Sequence, residues 1–168
     1  MKYCSNCGSS KLEFIIPEGD HLKRYCCSEC GTIFYTNPNM IVGALCIRDN
    51  KILMAKRNIH PRKGLWTLPA GFMENGETLE AGALRETMEE TGSEAKAIMP
   101  YTMFSLPHIN QVHLFYLADL LDENFGPTSE SMEVKLVTQE EILWNELAFP
   151  TVERTLKYYI EDSKNNEF

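Results

Sequence analysis

The chain's class is set first by what it lacks. It has no run of 18 apolar residues, so no segment reads as a membrane-spanning helix. Its start, MKYCSNCGSS, carries no apolar signal segment. No low-complexity tract or internal repeat is present. A surplus of positive charge is missing too: 16 Lys and Arg stand against 24 Asp and Glu, for a formal net charge of −8. Generic binding to nucleic-acid phosphates needs a basic surface, so no nucleic-acid partner is expected. An anionic substrate must then be met locally, by a metal or a few cations. Without a secretory signal, the six cysteines are not expected to pair as disulfides. The 168 residues are 43% hydrophobic, enough for one ordinary domain with a real core plus a small appendage. These bounds describe a cytoplasmic enzyme with a small-molecule substrate and no membrane partner.

Residues 71–93, GFMENGETLEAGALRETMEETGS, hold the densest chemistry. Thr78 is an N-cap residue and Gly92 a C′ residue, so a helix is predicted from Leu79 to Thr91. Glu86, Glu89 and Glu90 then share one face at spacing i, i+3, i+4. Like charges at that spacing repel, and a hard divalent cation such as Mg2+ favours carboxylate oxygens, so the face reads as a metal platform. A solvated acidic surface is the alternative. Arg85 adjoins the glutamates, and its guanidinium fork can fix a carboxylate's direction.

Gly71, Glu77, Arg85, Glu86, Glu89, Glu90 and Gly92 stand in register with the pattern G-x5-E-x7-R-E-U-x-E-E-x-G-U, where U is a bulky aliphatic. The stretch resembles the Nudix hydrolases; Thr87 and Ser93 depart from the pattern at U positions. The resemblance implies an α/β/α sandwich with a mixed β-sheet. It implies Mg2+ or Mn2+ held by Glu86, Glu89, Glu90 and the Gly71 carbonyl, and a catalytic set of Glu86, Glu89, Glu90 and Arg85, with Arg85 orienting Glu89 or Glu90 rather than touching substrate. Glu77 would support the loop and the bound substrate. Family members often carry one more acid as ligand or base. Glu133 is the better placed here, with Glu130 as fallback.

The N-terminal segment carries Cys4-x-x-Cys7 and, further on, Cys27-x-x-Cys30. Four thiolates at this spacing suit a closed tetrahedral Zn2+ site, and a metal can replace the core that so short a segment cannot build. Residues 1–36 are therefore read as a zinc ribbon and 37–168 as the Nudix domain. Lys2, Lys11, Lys23 and Arg24 balance Glu13, Glu18, Asp20 and Glu29, so the ribbon has no basic stripe. Cys46 lies in an apolar run and reads as core.

Met40–Ile47 and Lys51–Arg57 are predicted to form a hairpin across Asp49-Asn50. Arg57, at the end of the second strand, can reach a phosphate; an ordinary surface arginine is the alternative. Residues 65–70 are predicted as one short strand. A strand over 95–106 is expected to break at Pro100, followed by a strand over 111–120, a strand from Val134, a helix beginning at Gln139 and a C-terminal helix over 151–162. Trp66 is assigned to the core, and His108 and His113 to non-catalytic places, since no nucleophile pattern accompanies them.

Tyr35-Thr36-Asn37-Pro38, KRNIHPRKGLWTLPAGFMENGET and LAFPTVERTLKYYIED together resemble the zinc-ribbon Nudix group that includes plant plastid FAD diphosphatases. That resemblance implies hydrolysis of FAD or ADP-ribose to AMP plus FMN or ribose 5-phosphate, by a homodimer. NADH diphosphatase is the rival; its SQPWPFP-type signature is replaced here by SEAKAIMPYTMFSLP. A non-catalytic nucleotide sensor is the alternative class. Tyr101, Phe104 and Phe149 are candidates to stack on adenine.

Overall fold

The structure, a computed structural model, describes residues 1–165. The chain divides into two compact units, Met1–Asn37 and Pro38–Phe168.

The first unit is a small antiparallel sheet of β1 (Leu12–Ile15), β2 (Arg24–Cys27) and β3 (Ile33–Phe34), in that spatial order. Phe14 and Tyr25 pair across β1 and β2, their ring centroids 4.9 Å apart. Both rings remain exposed.

The second unit is built on a mixed sheet. Its strands are β4 (Asn39–Arg48), β5 (Lys51–Arg57), β6 (Trp66–Thr67), β7 (Ala70–Phe72), β8 (Ala95–Leu106), β9 (Gln111–Leu120) and β10 (Ser131–Val137). The main order is β10-β5-β4-β9-β8, with β6 beside β5 and β7 beside β4. Among the named strands of the described residues, β4 and β9 run parallel and the other pairs are antiparallel. Helix α1 (Leu79–Thr91) covers one face and α2 (Pro150–Asn165) the other. Along β4, Val42 packs with Ala83 of α1 and Cys46 lies beside Thr87, whereas Leu45 packs with Val152 and Leu156 of α2. This is the three-layer sandwich expected of the sequence, with Trp66 and Cys46 in its core.

Asp49 and Asn50 close the β4–β5 hairpin with positive φ at both residues (49° and 61°), as a two-residue turn of the I′ type requires. β5 keeps only two register pairs with β4 before it diverges towards β6. The segment predicted as one strand over 65–70 is instead two, β6 on β5 and β7 on β4. Pro69 lies at the crossing, where it cannot donate but its carbonyl accepts from Ala44 N–H at 3.1 Å. Pro100 does not break β8. This is an edge strand, so the missing N–H costs no ladder bond, and the register shifts on either side absorb the ring.

The expected helix from Gln139 is two 3-10 turns, Gln139–Glu141 and Trp144–Glu146. Ile142 separates them with an extended backbone and a buried side chain. α2 starts one residue earlier and ends later than expected. Its proline at the first position loses no helical bond, and the rest of the C-terminal tail, Asn166–Phe168, lies outside the described residues. No helix among the described residues is long and apolar enough to cross a membrane.

Candidate functional site

In the first unit, two tight turns bring the cysteines together. Gly8 N–H donates to Cys4 O at 2.8 Å, and Gly31 N–H to Cys27 O at 2.9 Å. Cys4 Sγ lies 3.7 Å from Cys30 Sγ, and Cys7 Sγ 3.6 Å from Cys27 Sγ; all four sulfurs fall within 4.8 Å of one another. A regular tetrahedron with arms of about 2.3 Å has edges of about 3.8 Å, so the spacing fits a four-thiolate Zn2+ site. Asn6 Nδ2 and Thr32 Oγ1 lie against Cys30 Sγ, and donation by Thr32 is the main reason the Cys30 thiol is lowered to about 6. Cys26 stays outside the cluster.

In the second unit the site is organised around Arg85. Thr78 caps α1 by accepting from Ala81 N–H at 3.1 Å, and Gly92 closes it by donating to Met88 O at 2.8 Å. Every guanidinium N–H of Arg85 is used. Nε and Nη2 hold the two oxygens of Glu77 at 3.0 and 2.9 Å, and Nη2 also reaches Phe72 O at 3.1 Å. Nη1 holds Glu86 at 2.7 Å and Glu89 at 3.0 Å. Sequence reasoning expected Arg85 to orient Glu89 or Glu90. It orients Glu86 and Glu89, and its principal partner is Glu77.

Glu77 also accepts from Glu74 N–H at 2.7 Å. The bonds from Arg85, then from Glu74, bring its carboxyl down to about 2. Burial pushes Glu86 upward against the pull of Arg85. Glu90 is the extreme case. It is 4% exposed, with Oε2 accepting from Ala70 N–H at 3.1 Å, and burial raises it to about 8. Glu89 is the open member, its side chain 56% exposed. The three glutamates therefore sit in three different environments, with Glu86 and Glu89 sharing Arg85 Nη1. Among the described residues, the cysteine cluster is the only group of three or more metal-capable side chains whose ligand atoms lie that close together.

Two glycines make room for two carboxylates. A Cβ on Gly71 would lie 2.3–2.4 Å from the Glu86 carboxyl group, and one on Gly82 would lie 2.5 Å from Glu77 Oε1 and 2.8 Å from Val42 Cγ2. Sequence reasoning missed Gly82. The signal was there: a glycine inside a helix costs about 1 kcal/mol against alanine, so it implies a packing demand. It missed Phe72 as well, an aromatic side chain 57% exposed immediately after Gly71.

The two late acids separate. Glu130 adds its negative charge to the surroundings of both Glu86 and Glu90. Glu133 sits opposite Lys56 in the β10–β5 register, next to Val134, which packs with Ala55 and Cys46 on the α1 face. Side chains alternate along a strand, so Glu133 points to the other face. A register shift between Ser131 and Glu133 lies on the Glu130 side of this pair.

Arg57 is buried rather than a surface arginine. Its Nε donates to Pro61 O at 2.9 Å, its guanidinium lies 5.2 Å from the Phe149 ring centroid, and its charge acts on Glu90. Tyr101 and Phe104 instead line a pocket of about 260 Å3 against α2, with Arg154, Tyr158 and Asp162. His113 is held between Thr151 at 3.1 Å and Gln111 at 3.0 Å, and His108 lies in a 3-10 turn.

A NUDIX hydrolase from Nitrosomonas europaea has a solved structure that superposes with a TM-score of 0.95 at 49% identity, covering 98% of this chain and 93% of that one. An ADP-ribose pyrophosphatase from Methanocaldococcus jannaschii is 38% identical over 89 residues, 52% of this chain and 53% of the relative. A NAD-capped RNA hydrolase NudC from Shigella dysenteriae is 34% identical over 122 residues, 70% of this chain and 44% of the relative. The chain thus spans about half the length of these curated relatives. Residues 2–36 match the Nudix N-terminal zinc-ribbon family and residues 38–159 match the NUDIX domain. The carboxylates fanned around Arg85 accordingly belong to a protein of the NUDIX family, with its N-terminal ribbon in place.

Proposed function

We propose that the chain hydrolyses the pyrophosphate bond of a nucleoside diphosphate linked to a second group. FAD and ADP-ribose are the substrates and AMP is a common product. The observation that carries this reading is the division of labour on α1: Glu77 locks Arg85, Arg85 aims Glu86 and Glu89, and Glu90 lies buried with no cation bonded to it. A buried carboxyl group held only by a backbone N–H suits a hard cation, and the donor set is all oxygen. Glu86, Glu89, Glu90 and the Gly71 carbonyl would hold Mg2+ or Mn2+. Such an ion, when bound, neutralises phosphate oxygens and lowers the pKa of a bound water.

The chain's own residues do the rest. The bare Cα of Gly71 lets the Glu86 carboxylate lie against the β7 backbone. Glu130, within electrostatic reach of Glu86 and Glu90, is better placed than Glu133 to take the proton from the attacking water. Arg57 offers its Nη groups to the phosphate that leaves, and its stacking on Phe149 keeps the guanidinium plane in place. Zn2+ in the cysteine cluster is structural, because four thiolates leave no open position. The resemblance to the zinc-ribbon group supports a homodimer.

The test is product analysis by chromatography. FAD, ADP-ribose and NADH are incubated with Mg2+ or Mn2+, beside Glu89→Gln, Glu130→Gln and Glu133→Gln. AMP and FMN from FAD, lost in the first two variants and kept in the third, is the expected result. AMP from NADH alone would move the assignment to the NADH diphosphatases. No AMP from any of the three, with the protein folded, would favour the sensor.

A further inference from the structure

The charge of this chain is unevenly laid out. From Asn50 to Met73 there is no Asp or Glu, yet the stretch holds Lys51, Lys56, Arg57, Arg62 and Lys63, five of the 16 Lys and Arg. All 24 acids lie outside it. Its most basic part is the loop between β5 and β6, where Arg57, His60, Arg62 and Lys63 fall within seven residues.

The loop is built rather than slack. Arg57 N–H donates to Leu65 O at 2.9 Å, Gly64 N–H to Arg57 O at 2.8 Å and Leu65 N–H to Arg62 O at 3.2 Å. Arg57 Nε closes on Pro61 O at 2.9 Å. Its base is tied to the loop before β10, through Asn58 N–H to Glu130 O at 2.7 Å and Asn58 Nδ2 to Ser129 O at 3.2 Å. That loop is in turn tied to α1 by Thr128 Oγ1 donating to Glu90 O at 3.3 Å. The base of the basic loop is thus anchored beside the glutamates.

At its tip the backbone of Arg62 is left-handed, with φ of 66°. Glycine or asparagine would take that conformation at lower cost, so the chain keeps a cation where local preference is against it. Arg62 and Lys63 are exposed, and neither forms an ion pair among the described residues.

We propose that the tip of this loop, through Arg62 and Lys63, binds a phosphate that the substrate carries in addition to its pyrophosphate. This deepens the pyrophosphatase reading and rests on it. Arg57, at the base, serves the pyrophosphate; its bond to Pro61 O holds Arg62 and Lys63 next to it, where they would meet an anion beside the pyrophosphate. In a protein of net charge −8, a fixed pair of cations also offsets the repulsion that an extra phosphate would meet. The phosphate is either a monoester on the nucleoside ribose or a diester of an attached oligonucleotide.

The experiment measures kcat/KM on two matched pairs, ADP-ribose 2′-phosphate against ADP-ribose and ADP-ribose-capped oligoribonucleotide against ADP-ribose. It compares the wild type with Arg62→Gly/Lys63→Gln, whose glycine suits the left-handed backbone. The wild type is expected to prefer the phosphorylated member of one pair. The variant loses about tenfold on that member alone, the size of one charge-assisted phosphate contact. The pair that responds identifies the monoester or the diester. A wild type indifferent to the added phosphate, or a variant that slows both members equally, overturns the proposal. If no member is cleaved and FAD is not cleaved either, the pyrophosphatase reading fails. Calorimetric binding of ADP-ribose 2′-phosphate and ADP-ribose to both proteins then decides the loop's role by itself: a variant that weakens the phosphorylated ligand alone supports it, and equal binding overturns it.

Discussion

The two units reach order by opposite means. In the second, Leu45, Ile52, Leu68, Phe115 and Leu156 are fully or almost fully buried between a sheet and a helix. In the first, the buried apolar side chains are Cys4, Pro17 and Cys27, while Tyr3, Phe14, Ile15, Ile16, Leu22 and Tyr35 stay exposed. One unit is held by area removed from water, the other by four sulfurs at metal-ligand spacing. A short chain cannot hide enough surface to fix its own backbone, so bonds to a cation must stand in for a core.

The comparison breaks most sharply if the metal is taken away. Chelation, or Cys27→Ser, should unfold the first unit and leave the second cooperative, because zinc binding in such small domains supplies about 10–16 kcal/mol of folding free energy. Hydrogen exchange of the full chain, read peptide by peptide, would locate the loss. Protection in residues 1–37 that survives chelation would refute it.

The next effect belongs to the other unit. Phe115→Ala should cost about 3–5 kcal/mol in denaturant unfolding, since the ring is 1% exposed and touches both layers of the core. A smaller contribution comes from Glu90, whose sign can be worked out. The folded protein keeps the Glu90 proton up to about pH 8, and the unfolded chain loses it near the ordinary glutamate value of 4.5. Its contribution is therefore fully present below pH 4.5 and is lost as pH rises to about 8, by at most about 1.4 kcal/mol per pH unit. Urea melts in chelator at pH 6 and pH 8 should show this slope in the wild type and not in Glu90→Gln. The smallest effect is Phe14→Ala. That ring is 54% exposed and makes one tilted contact with Tyr25, so a loss under about 1 kcal/mol is expected. A loss like that of Phe115 would mean that the ribbon has an apolar core after all.

How much was legible in the residues follows the same division. α1 could be read to the residue because its cap, its stop and its glutamates lie within one short stretch and obey one period. The cysteine cluster was legible for the same reason. What could not be read depended on distant partners. The separation of Glu130 from Glu133 depends on which face of β10 each residue takes, and that follows from the pairing of β10 with β5. The tolerance of Pro100 depends on β8 having no neighbour on one side, and the split at Pro69 on two strands diverging. The demand for Gly82 comes from a carboxylate and a valine that only the fold brings to it.

The parallel pairing of β4 with β9 bears on how the molecule assembles. Val42 in β4 pairs with Leu114 in β9, and α1 with all its glutamates lies in the chain between them. High contact order of this kind slows folding, because the entropy of closing the loop is lost before the contact returns anything. During synthesis β4 must wait, without this partner, until β9 has left the ribosome. A nascent chain stalled before Gln111 would have made every glutamate of α1 and still lack the central strand that completes the sheet beneath them.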